Sequence, residues 1–317
     1  MIQPLQYLVG DPIKYRNSGL AWFRASQILH ERTNGAFDAA FMSAARLVRR
    51  RVALPQLPAM TVAEIDDAVA RLRRDGYAPL PKGLSADDVA EIKKFAFTNP
   101  ARGVDISKDI EITENKIPVD EGRYTWRVRD IIAQPVFQRL ICEGPFCTIA
   151  QDYLSCRPLL SGITLCLDPP YKGTYSPHQY HYDNDGPGFL KFFIYLTDAR
   201  LGTGAHYFIV GSHSHTKPKQ FSRAAIYAED DLFRHFSRDR EFVATANAGT
   251  IIAEDTAGFH RGSTITHDYR LLMILQFAAL DIPDESELKQ KFKPVAIPNL
   301  HPGTGKIVWK FFTDKSR

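Results

Sequence analysis

Two textures of apolar spacing divide the chain. Over Leu20–Arg32 and Ala36–Val52 apolar residues recur at intervals of three and four with no proline, which predicts two amphipathic helices. Pro55 and Pro58 forbid their continuation. Thr61-Val-Ala-Glu64 has the form of a capping box, in which the two side chains satisfy backbone N–H groups of a first helical turn; it predicts a helix through Arg74, ended by Asp75-Gly76. Tyr77–Leu80 then predicts a short strand, and Ser85-Ala-Asp-Asp88 opens another helix running to about Phe97. From Arg123 onward the apolar runs become short or alternating: Leu159–Leu167, Leu190–Leu196, His206–Val210, Thr250–Ala253 and Leu271–Ala278, separated by Gly, Pro, Asp and Asn. Strands punctuated in this way predict a sandwich or barrel of the jelly-roll kind, so the expected fold is mainly β with flanking helices.

Composition adds little to this and charge adds more. Hydrophobic residues at 44% and charged residues at 24% describe an ordinary globular chain with one large domain or two small ones. Cys142, Cys147, Cys156 and Cys166 form no Cys-x-x-Cys pair and are read as reduced, buried thiols. The first residues, MIQPLQYLVGDPIKYR, lack the basic and apolar regions of a cleaved signal, and Leu271–Leu280 is too short to cross a bilayer, so a cytoplasmic protein with no transmembrane segment is expected. The net charge of +4 is uneven: residues 1–58 carry eight Lys/Arg against three Asp/Glu, and residues 286–317 carry seven against two. Basic residues confined to the flanks argue against a nucleic-acid partner. Arg46-Leu-Val-Arg-Arg-Arg51 has two readings: a solvated helix end whose cations suit the helix dipole, or a basic surface for peripheral contact with anionic lipid or an anionic substrate.

The stretch from His178 to Gly188, HQYHYDNDGPG, packs two histidines and two aspartates ahead of an apolar run. On an extended strand His181 and Asp183 share a face while Tyr182 points away, so both can reach one ion. His178 is out of phase with them, and Asp185 precedes a Gly-Pro-Gly turn. A His-x-Asp pair needs a third ligand, and His260 in Ala257-Gly-Phe-His260 offers one. Two imidazoles and one carboxylate form the facial triad of non-haem iron(II) oxygenases. Zinc hydrolases use the same set, and Glu254-Asp255 is the nearby acidic pair that could serve such an enzyme as general base. Arg270, leading the last apolar strand, favours the oxygenase, because a guanidinium grips the far carboxylate of a dianionic co-substrate with two hydrogen bonds.

These residues resemble the phytanoyl-CoA dioxygenase family, a branch of the iron(II)- and 2-oxoglutarate-dependent oxygenases. The likeness runs from about residue 62 to 282. It is carried by His181-Tyr-Asp183, Leu190-Lys-Phe-Phe-Ile-Tyr-Leu-Thr-Asp198, Gly204-Ala-His-Tyr-Phe-Ile-Val-Gly-Ser-His213, His260 and Arg270, with Val210 where the family has proline. The resemblance implies a double-stranded β-helix (jelly-roll, cupin-like) over residues 59–285, between a helical basic N-terminal extension, 1–58, and a basic C-terminal tail, 286–317. It implies Fe(II) at His181, Asp183 and His260, 2-oxoglutarate at Arg270 with Lys191 and Tyr195 in support, and O2 as oxidant. Gln179, Tyr180 and Tyr182 flank the metal as candidate lining of a channel for a small-molecule or lipid-type substrate. His206, His213, His215 and His267 read as structural, surface or strand-edge residues. Asp183, where a halogenating relative has a small residue, implies hydroxylation with succinate and CO2 as co-products. A catalytically silent metal- or 2-oxoglutarate-sensing module on the same fold is the remaining alternative.

Overall fold

The computed structural model describes residues 19–56, 60–103, 108–173, 178–214, 216–280 and 293–315. Helices α1 (Gly19–Thr33) and α2 (Ala36–Val48) form the N-terminal hairpin, followed by α3 (Val62–Asp75), β1 (Tyr77–Pro79) and α4 (Ala86–Thr98). The capping box is formed: Thr61 Oγ1 accepts from the Glu64 N–H and Glu64 Oε2 accepts from the Thr61 N–H, while Gly76 in the left-handed region closes α3. Helix α2 stops at Val48 rather than Val52. The Gln151 side chain takes both backbone groups of Val52, and the Arg49 carbonyl accepts from the Arg157 N–H, so tertiary partners replace the next helical turn.

The remaining strands are β2 (Tyr124–Thr125), β3 (Leu159–Asp168), β4 (Phe189–Tyr195), β5 (His206–Ile209), β6 (Glu241–Ala244), β7 (Ile251–Glu254), β8 (His260–Gly262), β9 (Arg270–Ala278), β10 (Val295–Ile297) and β11 (Phe312–Asp314). A six-stranded antiparallel sheet runs β1-β7-β4-β9-β3-β2 and a three-stranded one β6-β5-β8. This mostly β architecture of antiparallel sheets with flanking helices is the fold class expected from the sequence. The long central strands are nearly all buried because both faces are covered. On one face Leu160, Phe192, Leu275 and Phe277 join Leu72, Ile92 and Phe137 in the main core; the other face turns toward the smaller sheet.

The segment set apart as a basic tail contributes to that core: Leu300, Ile307, Val308, Phe311 and Phe312 are buried within it. The N-terminal hairpin lies against the metal-motif loop. The Gln27 side chain donates to the Asn184 carbonyl, Asn34 exchanges hydrogen bonds with Lys217, and Met42 fills the space above Gly188. Gly188 has φ +71°, and a side chain there would collide with Met42, so both conformation and packing call for glycine. Arg46 and Arg49 donate to the Leu154 and Arg157 carbonyls, while Leu47 and Val48 remain exposed. No helix among the described residues is long and apolar enough to cross a membrane. The four cysteines are free, and burial pushes the Cys142 thiol up to about 12 and Cys166 to about 11.

Candidate metal and anion site

His181 and His260 are distant in sequence but directly opposed in space. The His181 N–H donates to the His260 carbonyl at 3.0 Å and the His260 N–H returns a bond to the His181 carbonyl at 2.8 Å, an isolated antiparallel bridge beside the smaller sheet. Residues so paired project to the same face, and the two rings stand 4.3 Å apart. Asp183, two residues on, is held by its N–H to the Thr256 carbonyl and turns to the same point. Its carboxylate oxygens lie 3.9 Å from His181 Nε2 and 3.7 Å from His260 Nε2. The three donor atoms fall within 4.8 Å of one another, compact enough for one ion.

The imidazoles are also set in the right tautomer. His181 Nδ1 lies 2.8 Å from the Gln179 carbonyl and His260 Nδ1 2.9 Å from the Gly258 carbonyl. A carbonyl only accepts, so each ring carries its hydrogen on Nδ1 and presents a bare Nε2 lone pair to the ion. Burial lowers His260 to about 4, which keeps it neutral and ligand-competent at physiological pH. Two imidazoles and one carboxylate fit a divalent cation.

The far end of the cavity is built by strand register. Asp168, closing β3, pairs opposite Arg270, opening β9, and Arg123 enters just before β2, which pairs with the same end of β3. Arg123 Nε and Nη2 donate to Asp168 Oδ1 and Oδ2 at 2.6 and 2.9 Å, and Arg270 Nε and Nη2 both donate to Oδ2 at 3.1 and 2.6 Å. Burial favours the neutral acid at Asp168, but the two guanidinium charges outweigh it and hold the carboxyl well below the usual range. Two cations on one buried carboxylate leave this end with one positive charge in excess.

A cavity of about 200 Å³ joins the two ends, lined by the triad, Lys191, His206, Arg123 and Arg270 with apolar walls from Phe193, Leu272 and Ile274. Lys191 belongs to the metal end: its Nζ donates to Asp183 and Asp185 at 2.7 Å each, away from the arginines. Tyr195 is buried beside the cavity among Phe193 and Leu272, close enough to Arg270 to feel its charge. The expectation that Tyr180 and Tyr182 flank a channel is corrected. Tyr180 is buried with its hydroxyl on Glu241, Tyr182 packs edge-on to Phe259, and both belong to an apolar cluster behind the metal strand; Gln179 is exposed. Strand alternation that turns His181 and Asp183 inward turns these tyrosines the other way.

His206 is not a surface or strand-edge residue. It is buried, lines the cavity, and its Nε2 is bonded to Glu254 at 2.9 Å. Burial pushes Glu254 up to about 8 and His206 down to about 3, which disfavours the charged form of each. The acids proposed as a hydrolase base are engaged elsewhere: Glu254 by His206, and Asp255 by the Tyr153 hydroxyl and the Ala257 N–H. His213 leans on the Arg73 carbonyl and His267 is exposed, while His215 lies outside the described residues. The sequence reading missed Arg123, Asp168 and the His206–Glu254 pair. Only the acid closing Leu165-Cys-Leu-Asp168 gave a signal, since β3 and β9 each carry a charge where a paired strand would place them side by side.

A family model described as phytanoyl-CoA dioxygenase (PhyH) matches residues 72–270. Among solved structures, the chain is similar to the non-haem α-ketoglutarate-dependent epimerase SnoN from nogalamycin biosynthesis, at 18% identity over 69% of this chain and 84% of that one, with a TM-score of 0.53. It is similar to the α-ketoglutarate-dependent carbocyclase SnoK from the same biosynthesis, at 14% identity over 78% and 97%, with a TM-score of 0.53. It is also similar to EctD from S. alaskensis with 2-oxoglutarate and 5-hydroxyectoine, at 20% identity over 78% and 92%, with a TM-score of 0.50. At these identities the likeness is one of fold. No curated protein matches the chain.

Proposed function

The chain belongs to the phytanoyl-CoA dioxygenase family, and on that footing we propose that it is an iron(II)- and 2-oxoglutarate-dependent dioxygenase hydroxylating an unactivated C–H bond of a small-molecule or lipid-type metabolite. One observation carries the reading: a single cavity has a two-His-one-Asp donor set at one end and two arginines at the other. A dianion that chelates a metal through one end and carries a carboxylate at the other matches both. The solved neighbours named as α-ketoglutarate-dependent enzymes support the same co-substrate.

His181, Asp183 and His260 would hold Fe(II) through two imidazole nitrogens and one carboxylate oxygen. Arg270 takes the far carboxylate of 2-oxoglutarate, and Arg123 supplies the charge that Asp168 cancels. Lys191 neutralises Asp183 until a cation replaces it. Phe193, Leu272 and Ile274 exclude water along the co-substrate's methylenes, which strengthens the electrostatic contacts at both ends. Iron(II) with 2-oxoglutarate and O2 supplies an oxidation that no side chain can perform, with succinate and CO2 as co-products.

The test is succinate formation from 2-oxoglutarate by anaerobically iron-loaded protein exposed to oxygen. Wild type is expected to turn over slowly even without substrate, and Asp183→Ala and Arg270→Ala to lose it at least about a hundredfold, as removal of a metal ligand or a buried ion-pair partner implies. Retained turnover in Asp183→Ala overturns the metal assignment. Bound iron and bound 2-oxoglutarate without turnover point to a sensor, and failure to bind 2-oxoglutarate returns the site to a zinc hydrolase.

A further inference from the structure

Glycine within a strand weakens it, having no side chain to pack and more freedom to lose, and β8 carries one at Gly262. Neither of the usual local reasons for it applies. Unlike Gly188, Gly262 is not in the left-handed region, so its backbone admits other residues. A methyl group on it would meet no atom closer than ordinary contact: Arg270 Nη2 at 3.4 Å, Arg270 Nη1 at 3.5 Å and His178 Cδ2 at 3.5 Å. The protein's own atoms leave room for that methyl. The room lies in the wall of the cavity, at its arginine end.

What faces the room is the outer end of Arg270. A guanidinium has five N–H groups. Nε and Nη2 donate to Asp168 Oδ2, and Nη1 donates to the Gly204 carbonyl. Gly204 lies along Cβ and Cδ of the arginine, so its carbonyl meets Nη1 from the side of the chain. One N–H on each η nitrogen remains among the described residues, and together these two form the fork at the guanidinium's tip. The η nitrogens, not Nε or Cζ, are the guanidinium atoms nearest the methyl position at Gly262, which sets that position off the same tip. A carboxylate gripped by the fork would hold its oxygens about 2.7–2.9 Å from the same two nitrogens. Carboxylate and methyl would therefore claim one volume.

We propose that Gly262 is the specificity-determining residue at the far end of the cavity: its missing side chain leaves the seat in which the far carboxylate of 2-oxoglutarate meets the tip of Arg270. The inference rests on the oxygenase reading. It adds a limit on the co-substrate, since a ligand held at the metal alone never reaches the seat, and one with a distal carboxylate fits only while position 262 has no side chain.

The experiment is an anaerobic calorimetric titration of Mn(II)-loaded wild type and Gly262→Ala with 2-oxoglutarate and, separately, with pyruvate, which has the same 2-oxo acid end and no distal carboxylate. Gly262→Ala is expected to weaken 2-oxoglutarate roughly 10- to 100-fold, the range for overpacking a fitted site, while the affinities for pyruvate and Mn(II) stay within about twofold. The variant should melt no lower than wild type, because alanine in an unstrained strand has less freedom to lose and meets nothing at clashing distance. Equal 2-oxoglutarate affinity in the two proteins overturns the proposal. So does a parallel loss of pyruvate, which would place the methyl's effect at the metal end, and so does a melt several degrees lower, which would make Gly262 a packing residue. If wild type itself binds no 2-oxoglutarate, the oxygenase reading falls and the proposal with it, whereas bound 2-oxoglutarate that ignores the methyl removes the proposal alone.

Discussion

The two ends of the cavity carry opposite versions of one arrangement. At the metal end an anionic donor, Asp183, is paired with an internal cation, Lys191; at the far end a cationic donor, Arg270, is paired with an internal anion, Asp168. The pairs differ in how they are held. Lys191 and Asp183 retain 15% and 21% of their side-chain exposure, whereas Arg270 and Asp168 retain 3% and 0%. Lys191 reaches from β4 to Asp183 and Asp185, and Asp168 is clamped by the guanidiniums of Arg270, opening β9, and Arg123, just before β2. An incoming cation can therefore displace Lys191, but an incoming anion cannot displace Asp168 and must add to it. Each end also carries a second like charge: Arg123 joins Arg270 on Asp168, and Asp185 joins Asp183 on Lys191.

The largest effect that could break this contrast is at Asp168. Asp168→Ala removes the anion shared by buried Arg270 and partly exposed Arg123 and should cost about 3–5 kcal/mol, roughly 10 °C in Tm for a chain of this size. A melt within a degree or two of wild type would mean that the clamp is replaceable. Next is Lys191→Met: removing a cation bonded to Asp183 should tighten divalent-metal binding by about tenfold or more in a chelator competition. Weaker metal binding in this variant would show that Lys191 assists the ion rather than standing in for its charge.

A pH series sharpens the comparison further. Because the folded Asp168 carboxyl is held below its usual value, its contribution to stability is present above the unfolded value of about 3.9 and is lost as pH falls through the folded one. Urea melts should therefore show the widest gap between wild type and Asp168→Asn near neutrality, narrowing below about pH 4. A gap that is constant or widens in acid contradicts the pairing. Smallest of all, Leu47→Ser on the exposed end of α2, remote from either pair, should shift stability by no more than about 0.5 kcal/mol.

The sequence made the metal end far more legible than the arginine end. His181-Tyr-Asp183 is a local pattern whose strand alternation alone places two donors on one face, and His260 in Ala257-Gly-Phe-His260 offered the third ligand that such a pair needs. The helices around α3 were legible because their capping chemistry is local as well. Arg123, Asp168, His206 and Glu254 were not, because their meaning depends on register. Asp168 matters only because β3 is paired to β9 so that it faces Arg270, and His206 only because β7 and β5 face each other in different sheets. Tyr180 and Tyr182 failed for the opposite reason: proximity in sequence to the metal residues suggested a role that alternation assigns to the other face.

Helices α1 and α2 lie wholly before residue 72, where the family likeness begins, yet Gln27, Asn34 and Met42 brace Asn184, Lys217 and Gly188. Lys217 in turn donates to the carbonyls of Ser212 and Ala257, tying the loop after β5 to the segment that leads into His260. A boundary drawn where the family likeness starts would cut the candidate site away from its buttress. For this chain the matched family segment is smaller than the unit of architecture, and a version shortened to it would keep His181, Asp183 and His260 while losing contacts that brace the loops around them.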